Sequence, residues 1–172
     1  MNAILQPDGS APKLSLERTF EASVEEVWAL WTTKAGIESW WGPEGFTVEV
    51  RSLDLRVGGS LRYVMTATAP DQVAFMKRAG MPLATEATIT FTEVVRHRRL
   101  AYVTLADFIP GVAAYEVAAR VELFQVAAGV RMVAAFDRMH DETWTERAVA
   151  GWESQLRKLA ARIAAPHREM RS

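Results

Sequence analysis

The sequence predicts an α+β domain: a curved antiparallel β-sheet of about six to seven strands around one long C-terminal helix, with two short helices after the first strand. Three observations predict it. A capped, tryptophan-rich helical stretch follows a single alternating segment near the start. Between residues 46 and 136 most segments alternate with a period of two and end in turn residues. After Asp141 an apolar stripe recurs in steps of four and three from Trp144 to Ile163. Strands in one run followed by one long helix make an antiparallel sheet with a helix across one face, an α+β architecture.

The elements follow in order. Residues 1–13 hold Pro7 and Pro12 around Asp8-Gly9-Ser10, which reads as a flexible lead-in. LSLERTF (14–20) alternates Leu14, Leu16, Arg18 and Phe20 against Ser15, Glu17 and Thr19, a strand with Arg18 the odd member of its apolar set. Ser23 and Glu26 form a capping-box pattern, and Val24, Val27, Trp28 and Trp31 follow at helical spacing. Gly36 is expected to interrupt this helix, with a second short helix over 37–41 that Pro43 ends. Phe46, Val48 and Val50 begin the strand run, and Gly58-Gly59 supplies a turn. Leu61, Tyr63 and Met65 alternate in the next strand. Residues 70–82 break the alternation, and Val73, Met76 and Lys77 predict a short helical insertion. Strands are predicted over 87–94 and 100–105. LAYVTL (100–105), apolar on both faces, is expected to be central. Residues 115–126 and 130–136 read as a hairpin turning at Ala128-Gly129. In the last helix Gly151 is unexpected, because glycine costs about 1 kcal/mol in a helix interior relative to alanine. It makes sense if another element approaches closely or if space is needed beside the helix. Pro166 ends the helix, leaving 14–165 as one domain and 166–172 as a tail.

The totals exclude several function classes. The chain has 172 residues, 20 basic against 21 acidic, and a net charge of −1, so no electrostatic footprint for nucleic acid or an anionic membrane is present. It contains no cysteine, which removes disulfides, thiolate catalysis and cysteine metal sites and suits a reducing cytoplasm. No stretch reads as a signal peptide or a membrane span. His97, His140 and His167 form no metal-binding spacing, so neither a metal nor another cofactor is expected. The expected partner is a small apolar ligand, with the protein a monomer or homodimer, no nucleic acid and no membrane insertion.

Trp40 and Trp41 sit side by side in ESWWGPEGF (38–46). Neighbours on a helix or strand point in different directions, so the two rings cannot share one simple core face. A sheet curved around a helix can enclose space. One tryptophan is then expected in the core under the first helix, and the other at the mouth of a cavity.

At this point the order of elements, with ASVEEVWALWTT, ESWWGP, DLRVGGSLRYVM and AGWESQLRKLAARI, resembles the START-like (SRPBCC) helix-grip superfamily. Within it the chain is most similar to the family of the activator of the heat-shock protein 90 ATPase, grouped in bacteria with polyketide cyclases. The resemblance spans roughly residues 14–165. Asp54, Gly58 and Gly59 match the family's glycine turn, and Gly151, Trp152, Leu156 and Leu159 match its closing helix. It implies a fold and a cavity more than a reaction, since fold does not fix function. The co-chaperone role belongs to multi-domain members and is not carried over to a chain of this length.

The inward-facing set expected to line the space is Trp41, Phe46, Tyr63, Met65, Met76, Phe91, Tyr102, Trp144 and Trp152. Aromatics and methionines at such spacing are more often core, so the expectation concerns the group. Polar candidates are His140 with Asp137 as an acid/base pair, and Asp107 at a strand end. The plainer alternative has DRMHDE (137–142) as a charged loop capping the last helix through Asp141. Segment 70–82 reads as a lid, a surface loop or a dimer contact. The first functional reading is a module that binds a small, mostly apolar molecule. The second is a cyclase- or hydrolase-like enzyme acting on a polyketide or aromatic substrate in the same space. The third is a co-chaperone-like interaction module. Binding is favoured over catalysis because no nucleophile elbow and no matched carboxylate pair is present.

Overall fold

The structure, a computed structural model, describes residues 3–4, 13–107, 109 and 111–165. Most of the predicted lead-in and all of the tail lie outside the described residues. The elements are β1 (Ala3–Ile4), β2 (Lys13–Phe20), α1 (Val24–Thr32), α2 (Lys34–Glu38), β3 (Phe46–Leu53), β4 (Ser60–Ala67), α3 (Pro70–Arg78), β5 (Ala84–Val95), β6 (Arg99–Ala106), β7 (Tyr115–Val126), β8 (Gly129–Asp137) and α4 (Glu142–Ala164). The strands form one sheet in the order β1-β2-β8-β7-β6-β5-β4-β3. Every pairing is antiparallel. Seven are full-length strands and β1 has two residues. β6 is interior to the sheet, as its two apolar faces predict.

Alternation sets which face is covered. In β8, Val130, Met132, Ala134 and Phe136 are all buried while their neighbours are half-exposed. These inner residues join Leu156, Leu159 and Ile163 of α4 in one core. The sheet bends where its ladder slips, between Val50 and Ser52 and between Phe91 and Glu93, since an extra residue on one strand bends and twists it. The Gly58-Gly59 turn is pinned at the second slip, with Gly58 N donating to Phe91 O (2.8 Å) and Phe91 N to Gly59 O (2.9 Å). Gly58 has φ +85°, and a Cβ on Gly59 would stand 2.2 Å from the Asp54 carbonyl oxygen, so glycine is required at both.

Three local readings are corrected. α2 covers Lys34–Glu38 and ends before the tryptophan pair, which lies in the turn that follows. Thr33 closes α1 and caps α2 through its hydroxyl, which accepts from Gly36 N at 3.0 Å. Gly36 therefore lies inside α2 rather than breaking α1. A Cβ there would sit 2.2 Å from Ala29 O, so glycine lets the two helices close on each other. The β7–β8 turn is Ala127-Ala128, and Gly129 opens β8. The insertion is helical as expected, with Pro70 at its first position and Met76 buried beneath it.

Candidate functional site

The candidate site is a gap between α4 and the concave face of the sheet. α4 begins at Asp141, whose carboxylate accepts from Trp144 N (2.8 Å), so the first turn is capped and Trp144 is fixed one turn in. From there Trp144, Ala148, Gly151, Trp152 and Gln155 share the face turned toward β6 and β7. The facing wall is short-chained, built from Thr104, Ala106, Val117 and Ala119. Small residues on both sides cannot meet across the space. An ideal Cβ on Gly151 would find nothing within 4 Å. Of the two reasons for a mid-helix glycine, open space applies and close approach does not.

Two adjoining chambers result. The first, about 240 Å³, is walled by Trp41, Tyr63, Met65, Tyr102 and Phe136. The second, about 340 Å³, is walled by Met139, Trp144, Arg147, Ala148 and Gly151. Thr104, Val117, Trp152 and Gln155 border both. Aromatic rings hold the partition in place. Trp152 stacks on Phe136 with centroids 5.0 Å apart and planes 9° from parallel. Trp41 meets Trp31 (5.3 Å) and Trp40 (5.1 Å) edge-on, and stands 6.2 Å from both Tyr63 and Tyr102.

Both tryptophans of the pair are buried in the core cluster, with different surroundings. Trp40 is 1% exposed, with its indole N–H donating to Leu30 O (2.8 Å), so it is core under α1. Trp41 borders the first chamber.

Burial pushes both tyrosine phenols up. For Tyr102 the rise is large and Tyr63 adds to it; for Tyr63 a hydrogen bond with Trp41 partly offsets it. Both therefore stay neutral near pH 7, and the Tyr102 hydroxyl has no hydrogen-bond partner among the described residues.

The rim of the first chamber is clamped to α4. Gly42 N donates to Gln155 Oε1 (3.0 Å) and Glu44 N to Ser154 Oγ (2.8 Å). Arg157 donates twice to Glu44 Oε1, at 2.9 and 2.7 Å. Lys158 Nζ caps the carbonyls of Trp41 (3.2 Å) and Phe46 (3.1 Å). The hydrogen bonds from Arg157 and Ser154 hold the Glu44 carboxyl below its usual value. Partial burial lowers Lys158, with Glu44 opposing.

Of the expected lining residues, Trp41, Tyr63, Met65 and Tyr102 border the first chamber, Trp144 the second and Trp152 both. Phe46, Met76 and Phe91 border neither. Phe46 is half-buried at the start of β3, Met76 lies under α3, and Phe91 is solid core at the ladder slip, 1% exposed.

The acid/base pair is not assembled. Asp137 takes Lys13 Nζ as an ion pair and accepts from Ala118 N (2.8 Å), which ties β2, β7 and β8 together. His140, past the end of β8, instead faces Tyr115 Oη (3.0 Å) and Asp141 (3.2 Å). Asp107 is exposed beyond β6. None of the three borders a chamber. Among the described residues no cluster of three or more His, Asp or Glu could hold a metal ion, and no helix is long and apolar enough to cross a membrane.

Thr104, Gln155 and Arg147 border the gap without having been singled out by the sequence. The signal for the last two was helix phase: Gln155 lies four residues after Gly151 and Arg147 four before it. Thr104 follows Tyr102 by one strand period.

The model of the family described as Activator of Hsp90 ATPase homolog 1-like protein matches residues 21–164. A comparison with curated proteins gives no match. Among solved structures, a protein of Chromobacterium violaceum is 22% identical with a TM-score of 0.71, covering 88% of this chain and 96% of its own. The AHSA1 protein of Silicibacter pomeroyi is 24% identical with a TM-score of 0.68, covering 88% and 97%. A protein of Mycobacterium smegmatis is 19% identical with a TM-score of 0.68, covering 97% and 98%. At these identities the likeness speaks for the fold alone, the helix-grip arrangement.

Proposed function

The chain belongs to the family of Activator of Hsp90 ATPase homolog 1-like proteins, and from that premise we propose that it binds a small, mostly apolar molecule in the gap between the curved sheet and the terminal helix. The observation that carries this reading is the open space at Gly151, in the middle of a 23-residue helix that faces the sheet. A helix that only closed a core would gain from a side chain at that position. Burial supplies the affinity, at roughly 25 cal/mol per Å², so about 200 Å² of enclosed ligand surface contributes about 5 kcal/mol before the cost of association. The neutral Tyr102 hydroxyl and the Gln155 amide offer orienting hydrogen bonds from the wall. His140, Asp137 and Asp107 stand outside the chambers, so the proposal assigns them no proton transfer. The domain is taken to run over 14–165, and the cysteine-free composition supports a cytoplasmic setting.

Native mass spectrometry of freshly purified protein tests for a molecule that travels with it. The neutral fluorescent probe phenylnaphthylamine, titrated against wild type and Gly151→Leu, tests the place. The leucine enters open space and improves helix propensity by up to about 1 kcal/mol, so the variant should fold at least as stably. It should lose probe affinity at least tenfold. Unchanged affinity would remove the gap as the binding site.

A further inference from the structure

Among the described residues, the two chambers have almost wholly uncharged walls and meet solvent beside a single cation. Among the described residues, Arg147 is the only charged one bordering either chamber. It lies on the exposed side of the second chamber, four residues before Gly151, on the same face of α4. Its guanidinium sits 4.8 Å from the Trp144 ring centre, and that ring is itself part of the chamber wall. Stacking restricts a long side chain and keeps it beside the opening. No carboxylate lies within ion-pair distance of it among the described residues. Two other arginines differ: Arg157 on α4 is paired with Glu44, and Arg138, between β8 and α4, with Glu142. Glu146, adjacent in sequence, borders a separate depression with Leu14 and Val149 rather than either chamber. The planar N–H fork of arginine is left to bind an oxyanion.

We propose that the occupant is an amphipathic monoanion, its apolar body in the chambers and its carboxylate or similar acidic group on Arg147 at the mouth. This rests on the reading that the gap binds a ligand. The anion stays in contact with water, so it is not desolvated at full cost, while the body takes the burial energy. Arg147 selects among apolar molecules more than it adds affinity. An exposed pair of this kind supports a threefold to tenfold preference, weakened by salt.

Two probes with the same aromatic body separate the claims: anilinonaphthalene sulfonate, which carries one anionic group, and neutral phenylnaphthylamine. Fluorescence titration of wild type, Arg147→Gln, Arg147→Lys and Gly151→Leu gives the affinities. Arg147→Gln should weaken the sulfonate probe threefold to tenfold and leave the neutral probe within twofold. Arg147→Lys, which keeps the charge, should retain the sulfonate preference. Raised salt should weaken only the sulfonate probe with wild type. If Arg147→Gln weakens both probes equally or neither, or if the lysine variant loses as much as the glutamine variant, the anion site is overturned. In those cases a loss of both probes in Gly151→Leu leaves the binding reading standing. If Gly151→Leu changes neither probe, that reading fails and the anion site falls with it.

Discussion

Trp40 and Trp41 are adjacent, both largely buried, and differ in what lies beside them. Trp40 is enclosed and hydrogen-bonded to Leu30; Trp41 has the first chamber on one side. Trp40→Ala should cost about 3–5 kcal/mol in a denaturant titration, the range for a large aromatic removed from solid core. Trp41→Ala should cost less, about 2 kcal/mol, because one side of its ring already faces empty space. It should also change probe affinity, which Trp40→Ala, where it folds, should not. Equal stability losses with unchanged affinity would place both rings in the core.

Tyr102 gives a second residue-scale prediction. Its folded pKa lies above the ordinary 10.0, as does that of Tyr63, so the folded state favours the neutral phenol. Their contribution is complete below pH 10.0 and is lost as pH rises through the folded values. Between pH 8 and pH 11, on urea titration, wild type should lose more stability than Tyr102→Phe. An equal loss would mean that the phenol is not shielded.

At the scale of elements, α4 both walls the gap and holds its rim. Ser154, Gln155, Arg157 and Lys158 are consecutive or nearly so, and all four reach residues 41–46. Glu44 is the hub, and its carboxyl is held below the usual 4.5. A lowered acid stabilises its contacts above that ordinary value and loses them as pH falls below it. Glu44→Gln should speed amide hydrogen exchange at residues 42–46 while barely moving the global unfolding midpoint, because the carboxylate is exposed. Unchanged exchange in this loop would show that Gln155 and Lys158 hold it alone. The same scale explains the α1–α2 correction. Gly36 reads as a breaker in a linear pattern, but its role is to admit Ala29 O at a helix contact that only the packed pair creates.

At the scale of the molecule, what was legible in the sequence is local and periodic. Alternation marked most of the strands from β2 to β8, a short run apolar on both faces marked β6, the capping residues marked the starts of α1 and α4, and steps of three and four marked the inner face of α4, because these depend on neighbours a few residues away. Those patterns also picked out inward-facing residues, among them Trp41, Tyr63, Met65, Tyr102, Trp144 and Trp152. They could not separate these from Phe91 or Met76, which have the same chemistry and phase. Whether an inward side chain meets another or faces a void depends on the distance between two surfaces. That distance is set by the bends at Val50–Ser52 and Phe91–Glu93 and by the seating of α4, all long-range. Asp137 shows the same division. Its spacing to His140 suited an acid/base pair, but Lys13, distant in sequence, arrives beside it once β2 pairs with β8, and an opposite charge at that range takes the carboxylate. Periodicity within the chain fixes which way each residue points; the closure of the sheet on the helix decides what it meets there.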